Sequence, residues 1–109
     1  MKKMFILALF VLTALFLTGC ETDPDATYGV HYLGNGNTSG YPPVDNNEYK
    51  SGEEAAVLGR NSLLRDGYTF QGWNTRADGS GASYNPDDKI KIGNLHVFLY
   101  AVWAPEVSP

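Results

Sequence analysis

Tyr68-Thr69-Phe70-Gln71-Gly72-Trp73 alternates apolar and polar side chains as far as Gly72, and then the next large apolar residue arrives one position late for strict alternation. A period of two marks a strand with one buried face. A bulge at Gly72 would return Trp73 to the face shared by Tyr68 and Phe70, because glycine accepts the backbone angles an extra strand residue demands. The spacing predicts that bulge.

Working outward, Val97 to Trp103 puts Val97, Leu99, Ala101 and Trp103 on one face and Phe98, Tyr100 and Val102 on the other. Apolar side chains on both faces predict a central strand. Lys89-Ile90-Lys91-Ile92 is a short strand with its isoleucines inward, followed by a turn at Gly93-Asn94. Upstream, Thr27 to Leu33 reads as a strand that stops at Gly34-Asn35-Gly36-Asn37, residues that tolerate positive φ. Glu54 to Leu58 reads as extended, although Glu53-Glu54-Ala55-Ala56 equally suits one turn of helix. Asn61 to Asp66 is expected to form a single helical turn, capped by Asn61 or Ser62 and ended by Gly67. Gly40 to Asn47, with Pro42-Pro43, is expected as a loop, and so is Asn74 to Asp88, pinned by Tyr84. Beyond the leader no segment sustains a helical stripe for three turns. The fold class is therefore mainly β, or α+β with little helix.

The N-terminus carries a different signal. Lys2 and Lys3 precede an almost unbroken apolar run from Met4 to Leu17, and Thr18-Gly19 are small residues that fit a peptidase cleft. This is the layout of a secretory signal peptide over 1–19, a signal helix expected to be cleaved. Leu17-Thr18-Gly19-Cys20 resembles the lipobox of bacterial lipoproteins. The resemblance implies cleavage between Gly19 and Cys20 and lipid attachment at Cys20, with acyl chains such as palmitate. A transmembrane anchor needs about 20 apolar residues, and this run is shorter and ends in Thr-Gly-Cys-Glu. A single acyl chain binds only marginally, at about 0.8 kcal/mol per buried methylene, so two or three chains make a lasting anchor. Residues 20–26, acidic beyond the cysteine, read as a flexible lipidated tether. The expected location is the bacterial cell envelope, lipid-anchored and facing away from the cytoplasm.

Removing the leader sharpens the composition. The 109 residues hold 8 Lys+Arg and 12 Asp+Glu, and Lys2 and Lys3 leave with the leader, so the remainder has six cations against twelve anions, a net of −6. Such a surface argues against nucleic acid, which is bound by releasing counterions to Lys and Arg, and against a polybasic grip on anionic lipid. Cys20 is the only cysteine, which leaves no disulfide within the chain. The foldable part, 27–104, is close to the smallest size that one core stabilises, and 105–109 read as a disordered tail. A large catalytic cleft is not expected.

The blocks Gly67-Tyr68-Thr69-Phe70-Gln71-Gly72-Trp73-Asn74-Thr75, Ala77-Asp78-Gly79-Ser80-Gly81 and Leu99-Tyr100-Ala101-Val102-Trp103, with Tyr84 and Asp88 between them, resemble the internalin-type B-repeat, or Listeria-Bacteroides repeat, of bacterial surface proteins. Val30, Tyr32 and Gly34-Asn35-Gly36-Asn37 extend the resemblance upstream. It implies a small β-grasp-like curved sheet and a role in adhesion or partner contact, usually from tandem copies. This sequence departs in showing one copy behind a lipobox. Phe98 stands where the family commonly has a small polar residue, Ala55-Ala56 interrupt a usual β-branched pair, and Asp87 stands where a glycine often precedes the acid. Phe98 thus reads as an exposed aromatic.

The resemblance brings no catalytic residues, and the sequence offers no Ser/His/Asp, Cys/His or metal constellation, so an enzyme is not expected. His31 and His96 would make a metal pair only if their strands were neighbours, and two imidazoles are too few for a structural zinc site. In Asn74 to Gly79 the spacing of a calcium loop is spoiled by Arg76 at a ligand position and by Asn85 where a bidentate glutamate belongs, so a turn accounts for it. Asp87 and Asp88 are adjacent on an extended segment and point apart. Gly34-Asn35-Gly36 lacks the lysine and helix of a phosphate loop. No cofactor is expected. Trp73 and Trp103 are assigned to the core. Tyr41 and Tyr49, in the loop, and Phe98 are the candidate partner contacts. The sequence thus points to a lipid-anchored envelope protein displaying a B-repeat for protein interaction or adhesion. Glycan recognition through tyrosines and Asn/Asp-rich loops, or a structural spacer, are the alternatives.

Overall fold

The computed structural model describes residues 23–107, and these form strands and turns with no helix among them. The signal peptide, Gly19 and Cys20 lie outside the described residues. Six strands follow in order: β1 (Val30–Leu33), β2 (Glu54–Ala56), β3 (Tyr68–Asn74), β4 (Ser83–Tyr84), β5 (Lys89–Lys91) and β6 (Val97–Pro105). Four make one sheet in the order β1-β6-β3-β4, and β2 pairs with β5 as a separate ribbon. The small, mainly-β sheet expected from the sequence is what the structure shows.

The central place of β6 follows from its two apolar faces. It runs parallel to β1, with Val30 opposite Val97 and Tyr32 opposite Leu99, and antiparallel to β3 on its other side. Leu99 and Ala101 are fully buried. In β3, Phe70 faces Trp103 and Gly72 faces Val102, so Gln71 is the extra residue of a bulge, as the broken alternation predicts. Gly72 stands at φ 124°, a region L side chains rarely adopt, and a Cβ there would lie 3.0 Å from the carbonyl oxygen of Tyr84. Past the bulge Trp73 faces Ala101 and is fully buried, its ring edge-on to Tyr32 at 4.8 Å and to Phe70 at 5.1 Å.

The ribbon supplies the other side of the core. Ala55 pairs with Ile90, and both are buried while their neighbours are exposed. With Val57 and Ile92 they join Val30, Tyr32, Leu63, Trp73, Leu99 and Ala101 in one cluster. Glu53-Glu54-Ala55-Ala56 is thus not a helical turn; its cross-strand partners decide in favour of the strand. Polar atoms of the core aromatics tie down the connections. The Tyr32 hydroxyl accepts the Leu58 N–H at 2.9 Å, and Trp73 Nε1–H donates to the Leu58 carbonyl at 2.8 Å. Trp103, half-buried against the core, donates from Nε1–H to the Gly34 carbonyl at 2.9 Å.

Three local expectations are corrected. Asn61 to Asp66 is a turn, not a helix: Asn61 takes φ 59°, and Leu64 forms an antiparallel bridge with Ser39. One helical turn gains too little to nucleate, so the longer-range bonds to Ser39 win. The loop expected over Asn74 to Asp88 contains β4, whose Tyr84 and Ser83 pair with Trp73 and Asn74. The last strand runs past Trp103, pairing Pro105 with Tyr68, and the Glu106 N–H donates to the Gly67 carbonyl at 2.9 Å. Ahead of β1 the Ala26 N–H donates to the Asp23 carbonyl at 3.0 Å, closing a turn.

Candidate functional site: an aromatic shelf and its cleft

Val30, Tyr32, Leu99 and Ala101 turn toward the core, so the alternate residues His31 and Phe98 project from the opposite face of the sheet. The parallel register sets them side by side. Their rings stack at 5.1 Å and 23°, and Phe98 remains 49% exposed. His96, just ahead of β6, lies 5.6 Å from His31, and Tyr28, just ahead of β1, meets His96 edge-on at 5.7 Å. Four rings therefore run in a row, Tyr28, His96, His31 and Phe98, across the end of the sheet where the chain enters β1. The Gly29 N–H donates to Nδ1 of His96 at 2.9 Å, which assigns the neutral imidazole its hydrogen on Nε2. Gly29 also makes room for the rings, since a Cβ there would approach Nε2 of His31 to 3.1 Å.

Facing this shelf is the segment 44–48. Between them lies a cleft of about 450 Å³, walled by Tyr28, His31 and His96 on one side and by Val44, Asp45 and Glu48 on the other. The polar wall is fixed by its own bonds. Asp45 Oδ1 accepts from the backbone N–H and the Nδ2 of Asn47 at 2.9 Å each, and Asp45 Oδ2 accepts the Tyr49 hydroxyl at 2.7 Å. The Thr27 hydroxyl donates to Glu48 Oε1 at 2.8 Å. Beyond His96 a second, more apolar depression of about 490 Å³ is lined by Leu95, Val97, Phe98 and Tyr100, and His96 lines both spaces. Leu95 is 78% exposed.

The three residues marked as partner contacts in the sequence end up in different places. Phe98 is part of the shelf. Tyr49 stands behind the polar wall: it is half-buried and exchanges two backbone hydrogen bonds with Tyr28, at 2.7 and 2.9 Å. Burial, with the bond to Asp45 added, raises the pKa of its hydroxyl. Tyr41 is 78% exposed and sits elsewhere, its carbonyl accepting from Asn61 Nδ2 at 3.0 Å. Nothing local in the sequence singles out Tyr28, His31 and His96 as partner contacts. The two histidines do lie on neighbouring elements, yet among the described residues no three His, Cys, Asp or Glu side chains converge as metal ligands.

At the far end of β3, Asn74 holds the next loop. It is 1% exposed, the one buried polar residue among those described. Its Oδ1 accepts the N–H groups of Arg76 and Gly81 at 2.9 Å each, and its Nδ2 donates to Gly79 O, Gly81 O and Ser83 Oγ at 3.2, 3.2 and 3.0 Å. The spacing that superficially suits calcium is thus a turn wound around an amide.

Two proteins of Evansella cellulosilytica are similar to this chain. One, named "Putative membrane protein", is 44% identical over 77 residues, which is 71% of this chain and 11% of that protein. The other, named "Putative Gly-rich membrane protein", is 46% identical over 77 residues, 70% of this chain and 9% of that protein. The similarity is therefore to a small part of much longer proteins. No solved structure matches the chain at a significant level. Residues 28–102 match the family model of the Listeria-Bacteroides repeat domain, from the first ring of the shelf to the strand behind it. By that match, which spans most of its length, the chain belongs to the Listeria-Bacteroides repeat domain family.

Proposed function

We propose that this chain is a lipid-anchored protein of the bacterial cell envelope that displays its repeat domain for surface interaction or adhesion, without catalysing a reaction. The observation that carries the reading is Leu17-Thr18-Gly19-Cys20 placed directly ahead of the domain that begins at Tyr28. The membrane-protein names of the two relatives support envelope association. A binding role is supported by the open shelf, where His31 and the half-exposed Phe98 project from the sheet face opposite the core. The test is Cys20→Ala in cells. The wild-type chain partitions into detergent phase and incorporates labelled palmitate, and the variant does neither while keeping its fold. A variant still lipidated refutes the anchor. Cleavage of the domain by protease added to intact cells supports outward display, and full protection refutes it.

A further inference from the structure

We propose that the cleft and the depression that meet at His96 are one groove for a neutral pyranose chain. The inference names the partner class of the surface module proposed above and rests on that module facing outward. A pyranose is amphipathic: one face offers C–H groups to the electron-rich face of an aromatic ring, and its rim offers hydroxyls. The groove presents both counterparts. Tyr28, His96, His31 and Phe98 form a row of rings, each 5.1–5.7 Å from the next, that turns from edge-on at Tyr28 and His96 through a 51° tilt to the stacked pair of His31 and Phe98. Two spaces that share His96 as a wall suit linked sugars better than a single one. Opposite Tyr28, His31 and His96 the residues Asp45 and Glu48 offer acceptors, and both are held in place before any ligand arrives, which lowers the ordering cost of binding.

The same geometry disfavours other occupants. Two carboxylates on the rim repel an anionic ligand. A peptide strand adding to the edge of β1 meets the bridge between Tyr28 and Tyr49 at one end, and Pro42-Pro43 beside Val30–Tyr32, where proline nitrogens offer no donor. The alternation that buries Val30 and Tyr32 leaves His31 to the groove, so the ligand surface is built by the fold itself.

Titrating the full chain in detergent micelles with cellotetraose and with chitotetraose tests this, read by calorimetry and by the imidazole C–H resonances. Saturable binding of either sugar, with the His31 and His96 signals shifting, supports the proposal. Which sugar binds tells a plain glucan from an N-acetylated one. His31→Ala and Phe98→Ala should each weaken binding by about tenfold, as expected when an aromatic contact is lost. Tyr41→Ala should leave it unchanged. His31→Gln, which keeps the polar volume without the ring, guards against a folding artefact and should weaken binding as well. No saturation by either sugar at millimolar concentration overturns the proposal, as does binding that survives both His31→Ala and Phe98→Ala. Tetragalacturonate bound as well as the neutral sugars overturns the assignment of a neutral ligand. Because the titration does not depend on lipid at Cys20, its failure leaves the anchor standing, and loss of the anchor leaves the titration standing.

Discussion

Replacing Asn74 by alanine removes five hydrogen bonds from one buried amide. The two that matter most are those accepted by Oδ1, because the N–H groups of Arg76 and Gly81 then lose their partner in partly buried surroundings. A stranded donor costs about 1–3 kcal/mol. Arg76 to Ser80 are exposed, so water reaches the loop as it relaxes, and the lower half of that range applies. Two donors at about 1–1.5 kcal/mol and the lost Nδ2 bonds at a few tenths each give a destabilisation of about 3 kcal/mol. A domain of this size holds about 4–12 kcal/mol in all, so the loss is a large fraction. With a urea slope of about 1 kcal/mol/M, the midpoint should fall by about 3 M at unchanged slope. Amide exchange at Arg76 and Gly81 should accelerate more than at Leu99. Asn74→Asp keeps both acceptor bonds and loses the donors, so it should fall between wild type and alanine. A fall below about 1 kcal/mol for Asn74→Ala would refute the view that this amide organises the loop.

Two further outcomes follow from the strands. Gly72→Ala forces a side chain to φ 124° and sets its Cβ against the Tyr84 carbonyl, which should cost about 2–3 kcal/mol in urea unfolding. Burial, opposed by the Leu58 N–H bond and aided by the charge of Asp45, holds the Tyr32 hydroxyl above its ordinary value of 10.0. The unfolded chain therefore releases that proton first, and stability is fully present below pH 10 and is lost as pH rises from there toward the folded-state pKa. Tyr49 acts in the same sense. Tyr32→Phe should lose about 1–2 kcal/mol at neutral pH, with the Leu58 N–H left without its acceptor, and should decline less steeply in alkaline urea titrations.

How far the sequence reveals this molecule depends on whether a signal is local. The bulge at Gly72 was legible because a one-residue delay in an alternating strand is what a single inserted residue produces, and glycine stands where the insertion needs it. The central place of β6 was legible from apolar residues on both faces. The partner of β1 was not: nothing within Val30–Leu33 says that it lies parallel to β6, and that pairing brings His31 beside Phe98 and His96. The shelf is therefore a product of topology, and the sequence joins the two histidines only on the condition that their strands be neighbours. Strand β4 was hidden because two residues carry no period; its position is set by Asn74, whose side chain gathers Gly79, Gly81 and Ser83. Tyr49 looked like a loop aromatic, since its bonds to Tyr28 and Asp45 span the molecule or depend on the loop's own path.

The parallel pairing of β1 with β6 also has a mechanical side. The chain enters β1 at Val30 and leaves β6 at Pro105, at opposite ends of adjoining strands that point the same way. A pull on the entering segment draws β1 backward along its axis, and a pull on the exiting segment draws β6 forward. The rungs between them are then loaded together in shear, instead of opening one after another like a zipper. A domain held at one end by a lipid and loaded at the other would carry that force through the very strands that display the shelf.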